Sequence, residues 1–71
     1  LKKKIVVVSF INAVQAPPYI AAETQLNVHR RNDIEMFYED GHLTVLCGDG
    51  EVIIPNGNIK AMVVASGKDK P

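Results

Sequence analysis

Apolar and polar residues alternate with a period of two through the middle of this chain, the spacing of strands with one covered face. Ile34, Met36 and Tyr38 alternate with Glu35, Phe37 and Glu39, with Phe37 the exception to the pattern. Leu43, Val45 and Cys47 share one face of the next run, opposite His42, Thr44 and Leu46. Leu26 and Val28 alternate with Gln25, Asn27 and His29. Turn signals separate these runs. Asp40-Gly41 is a favoured two-residue hairpin link, because Asp and Gly tolerate the positive φ that a type I′ turn requires. Arg31-Asn32-Asp33, Gly48-Asp49-Gly50 and Pro55-Asn56-Gly57-Asn58 mark three further bends.

Two strands depart from simple alternation. Lys4 to Phe10 is too short for a typical helix and rich in β-branched residues. Strict alternation puts Ile5, Val7, Ser9 and Ile11 on one of its faces and Val6, Val8 and Phe10 on the other, so both faces are apolar. Ile59 to Ala65 repeats the feature, with Ile59, Ala61, Val63 and Ala65 on one face and Met62 and Val64 beside Lys60 on the other. Between the first strand and the meander, Pro17-Pro18 forbids a central strand, since neither proline donates to a ladder. A short helical turn near 18–24 and an extended loop are both compatible with that segment. The expected fold is all-β: a small antiparallel barrel or strongly bent sheet of five to six strands, SH3-like in size. Residues 1–66 form a single small β domain in this reading, and 67–71 a polar C-terminal tail.

At 71 residues the chain buries only about 60% of the surface it exposes when unfolded, so its core is small. Two strands that are apolar on both faces exceed what such an interior hides. Each Val or Met side chain left in water forgoes about 1.5–3 kcal/mol. The surplus predicts a non-enzymatic protein-binding module that self-associates through apolar strands or docks on another protein. Phe10, Phe37, Met62 and Val64 are the candidate interface residues, being the hardest to place in one interior.

Composition narrows the classes further. Hydrophobic residues make up 46% and charged residues 23%, which argues against a disordered chain. The longest apolar run, Ile5 to Val8, falls far short of a membrane-spanning helix. It follows three lysines, but it is short and β-branched and no small-residue cleavage pattern closes it, unlike a signal peptide. One unpaired cysteine and no Asn-x-Ser/Thr sequon fit a reducing, cytoplasmic setting.

Little in the chain suggests catalysis. Cys47 lies on the strand face opposite His42, so period-two geometry separates thiol from imidazole, and a buried structural thiol is the expectation. His42 has Glu39, Asp40, Asp49 and Glu51 near it in sequence, but these belong to turns, and a metal site needs three or four convergent ligands. Ser9 and Ser66 lie at opposite ends of the chain, and neither sits in a nucleophile elbow. The glycines at 48 and 50 flank Asp49 and precede Glu51, which repel a phosphate. No enzymatic activity, cofactor or metal is expected.

Net charge is zero, but its distribution is uneven. Residues 1–34 hold five basic and two acidic side chains, residues 35–71 three basic and six acidic. The alternative function is therefore an RNA- or DNA-binding small barrel using a basic rim of Lys2, Lys3, Lys4, Arg30, Arg31 and Lys60. The run Val52 to Val64 resembles the strand–short turn–strand ending of Sm-like RNA-binding barrels. That resemblance covers under a fifth of the chain, and the arginine-glycine signature of those proteins is missing, so no family is assigned on it.

Overall fold

The computed structural model describes residues 2–15, 22–48 and 50–66. Six antiparallel strands form one bent, unclosed sheet: β1 (Lys3–Val14), β2 (Glu23–Asn27), β3 (Ile34–Glu39), β4 (His42–Cys47), β5 (Gly50–Pro55) and β6 (Ile59–Val64). A 3-10 turn, η1 (Asn56–Asn58), links the last two. The all-β fold expected from the alternation is observed. Of the helical turn considered near 18–24, residues 18–21 lie outside the described residues, and Glu23 and Thr24 open β2 instead. The tail 67–71 also lies outside them.

β1 organises the sheet. It pairs with β6 from Ile5 to Phe10, with β3 from Lys3 to Ile5, and with β2 from Val7 onward. β2 and β3 therefore follow one another against β1, separated by a looped excursion over residues 28–33. Asn27 shapes that excursion: its Oδ1 accepts from the His29 N–H at 2.8 Å and its carbonyl accepts from Arg30 and Arg31. β3, β4 and β5 continue as a meander. The β3–β4 link has Asp40 at φ 54° and Gly41 at φ 81°, the two positive angles a type I′ turn demands.

The core is the inner face of this bend. Ile5, Val8 and Phe10 come from β1, Leu26 from β2, Ile34 and Met36 from β3, Leu43, Val45 and Cys47 from β4, and Ile54 from β5. The faces of β1 differ from strict alternation. Ile5 opposes Val64 while Val7 opposes Val63, so an extra residue on β1 is accommodated at Val6. That bulge shifts the side-chain phase by one. Ile5 consequently lies inside with Val8 and Phe10, while Val6 and Val7 are both half-buried. A second shift, between Ser9 and Phe10, sets Ile59 opposite Phe10 and leaves Lys60 as the extra residue of β6. Ile59 thereby packs against the core with Met62, not with Ala61 and Val63 as alternation predicts.

β1 also runs four residues beyond Phe10. Glu23 of β2 pairs with Val14 at its end, and on the opposite edge a side chain acts as partner to Asn12. Asn58 Oδ1 accepts the Asn12 backbone N–H at 2.7 Å, and Asn58 Nδ2 donates to the Asn12 carbonyl at 3.1 Å. Tyr38 donates its hydroxyl to Asn56 Oδ1 at 3.0 Å. The 3-10 turn is thus fastened to β1 at one end and β3 at the other.

Candidate functional site: two apolar outer surfaces

The residues singled out from the sequence do not gather in one place. Phe10 is a core residue, 4% exposed, and drops out of any contact surface. Met62 is half-buried against the core, and Val64, on the same strand, is 47% exposed. Phe37 lies on the outer face of β3, with β1 between it and β6. Two separate surfaces result, and the sheet register defines both.

The first surrounds β6. Its burial pattern contains no fully buried position, because the bend does not close over it. Among the described residues no strand pairs with the edge of β6 facing away from β1. On the outer face Val63, 55% exposed, stands opposite half-buried Val7, Ala61 stands opposite Ser9, and exposed Ile11 continues the row along β1. Lys60 is the strand's single charge. Val63 and Ile11 escaped the sequence reading because both were assigned to faces that the two bulges reorganise.

The second surface is the outer face of β3, β4 and β5. The register sets Phe37, Thr44 and Ile53 in one cross-strand row, with Lys4 of β1 beside Phe37. Glu35, Leu46 and Glu51 form the row on one side, and Glu39, His42 and Pro55 the row on the other. Leu46 and Ile53 are exposed. A depression of about 200 Å³ opens here, lined by Lys2, Phe37, Glu39, Thr44, Leu46 and Glu51. The Lys2 ammonium stands 5.2 Å from the Phe37 ring centroid, within cation–π range. The alternation of β4 already put Leu46 on the face opposite the core. Ile53 was illegible, since it neighbours the equally apolar Ile54 and only tertiary burial separates the two.

Cys47 is buried, its Sγ 3.7 Å from the Val45 carbonyl, and burial pushes the thiol up from its ordinary range. His42 is half-buried on the outer face of β4, opposite both Glu39 and Pro55. Among the described residues no three His, Cys, Asp or Glu side chains converge as a metal site would require. Nor does any described helix have the length and apolarity to cross a membrane.

The basic residues are dispersed. Lys2, Lys3 and Lys4 are exposed at the start of β1, whereas Lys60 stands level with the Ser9–Phe10 step of the same ladder. Arg30 is exposed in the 28–33 excursion. Arg31 Nη2 meets Asp33 Oδ2 at 2.7 Å, and its Nε donates to Asp33 Oδ1 at 3.2 Å. That hydrogen-bonded pairing raises the guanidinium pKa and lowers that of the Asp33 carboxyl. Arg31 therefore braces the turn before β3. No family model, curated protein or solved structure matches the chain.

Proposed function

We propose that this protein is a non-enzymatic protein-binding module that associates with a second copy of itself through β6. The observation that carries the reading is the state of that strand: six residues, one charge, and an edge without a strand partner among the described residues. An exposed, apolar edge of this kind is a template for strand addition, which proteins ordinarily blunt with charge, proline or a covering element. Antiparallel pairing about a two-fold axis at Val63 would set Met62 of each copy opposite Val64 of the other. Such an isologous contact extends the sheet, gives the edge amides and carbonyls partners, and sets no like charges opposite each other within the strand.

The module acts by contact, and its partner is the same polypeptide. A nucleic-acid surface has weaker support, because Lys60 is separated from Lys2, Lys3 and Lys4 along β1 and Arg31 is engaged with Asp33. Sedimentation or light scattering across a wide concentration range tests the proposal. The expected result is a concentration-dependent dimer that Val63→Lys converts to a folded monomer. A parent protein that stays monomeric at millimolar concentration overturns it.

A further inference from the structure

We propose that the outer face of β3, β4 and β5 is a second, independent docking surface, which receives an extended basic–apolar segment of another protein. The centre of this face is greasy where an antiparallel sheet turned to water is normally polar. Leu46 and Ile53 are exposed there, and half-buried Phe37 lies between them and β1. Carboxylates frame the apolar centre: Glu35 and Glu51 stand on either side of Leu46, and Glu39 lies beyond Phe37. Between Arg31 and Lys60 the chain carries no lysine or arginine, so the cations on this face are Lys2 and Lys4, which border Phe37 from the start of the chain.

The chemistry of the occupant follows from these features. Glu35, Glu39 and Glu51 outnumber Lys2 and Lys4 on this face, and once Lys2 is displaced the remaining charge disfavours a phosphate backbone or an acidic peptide and attracts a cation. The aromatic face of Phe37 offers that cation a specific seat, and the protein's own Lys2 already rests there at 5.2 Å. Lys2 shares the depression with Glu39 and Glu51, the geometry that a partner's lysine or arginine would adopt after displacing it. Successive side chains of an extended segment point to opposite faces, so an aliphatic residue two positions from that cation is the one that reaches Leu46 or Ile53. The surface is separate from the β6 edge, and it remains open whether or not two copies pair.

Two eight-residue peptides, Lys-Ser-Val-Ser-Lys-Ser-Val-Ser and its counterpart with glutamate in place of lysine, carry the charged and aliphatic side chains on one face when extended and test the assignment by amide chemical-shift titration at low salt. The lysine peptide is expected to shift the amides of Phe37, Leu46 and Ile53, and the glutamate peptide to leave them unmoved. Lys2→Ala vacates the cation seat and is expected to tighten binding by about two- to five-fold. Glu39→Gln with Glu51→Gln is expected to weaken it by about the same factor. No shift with the lysine peptide at millimolar concentration, an equal response to the glutamate peptide, or unchanged affinity in the Gln variant overturns the proposal. The same amides moving with protein concentration alone would assign the face to a second copy and overturn it too. Dimerisation through β6 reports instead on the amides of Met62, Val63 and Val64, so either proposal fails independently of the other.

Discussion

Asn58 holds Asn12 by both its side-chain oxygen and its side-chain nitrogen, 46 residues away in sequence. One amide thereby gives Asn12 a partner on the β6 edge of β1, beyond the last ladder pair of Phe10 with Ile59. Asn58→Ala leaves the Asn12 N–H and carbonyl to water. The expected loss is about 1–2 kcal/mol, the net worth of two such bonds, read from the midpoint of urea unfolding. Asn58→Asp, which keeps the acceptor and loses the donor, should fall between the parent and alanine. A midpoint unchanged in the alanine variant would show that the clip does not support the fold.

The β3–β4 link gives a paired test of backbone conformation. Gly41 sits at φ 81°, where a Cβ is strained although the surrounding space is open. Gly41→Ala is expected to cost about 1–2 kcal/mol. Gly57, in the 3-10 turn, has equally open space around it and is not among the positive-φ residues. Gly57→Ala should stay within about 0.5 kcal/mol of the parent. Equal effects at the two positions would remove the type I′ assignment.

Met36 has no exposed surface and lies at the centre of the inner face. Met36→Ala is expected to cost about 2–5 kcal/mol, a large share of the roughly 4–10 kcal/mol available to a domain of this length. Met36→Leu, close in volume, should cost less than about 1.5 kcal/mol. Circular dichroism melts distinguish the two, and an alanine variant as stable as the leucine one would mean the bend is loosely packed.

Two titrating groups give pH dependence of known sign. The Arg31 guanidinium hydrogen-bonds Asp33 and holds its carboxyl below the ordinary carboxylate range. Its contribution to stability is therefore present above the unfolded aspartate pKa of about 3.9 and is lost as pH falls through the lower folded value. Asp33→Asn should flatten that part of the acid limb. Cys47 behaves oppositely at high pH, because burial raises its pKa and the native state keeps the proton longer. Stability is lost as pH rises past the unfolded thiol pKa of about 8.5. Native Cys47 should react slowly with a thiol reagent and promptly after denaturant is added; rapid native labelling would contradict its burial.

The alternation of β3 and β4 was legible because a polar residue follows nearly every apolar one, so Leu43, Val45 and Cys47 had one possible inside. The Asp40-Gly41 turn was legible for a similar reason, since few dipeptides tolerate two positive φ angles. β1 was not. Val6 and Val7 are chemically identical, and nothing local says that the strand slips phase between them. The slip is set by Val63 and Val64, more than fifty residues downstream, which pair with β1 across the bulge. Assigning Phe10 to a surface was the direct consequence. The surplus of apolar strand surface was visible in composition and pattern, but its division between β6 and the outer face of the meander depended on register.

The partner that completes β1 is the last strand of the sheet to be synthesised. Until Ile59–Val64 arrives, the strand spanning Lys3–Val14 waits with one ladder of amides and carbonyls bare. The domain therefore cannot mature piecemeal from its N-terminus, and high contact order makes its closure slow relative to a helical chain of equal size. The bare edge of β1 is also where the β6 of another copy would enter during that interval, in competition with the chain's own tethered β6, which has the higher effective concentration.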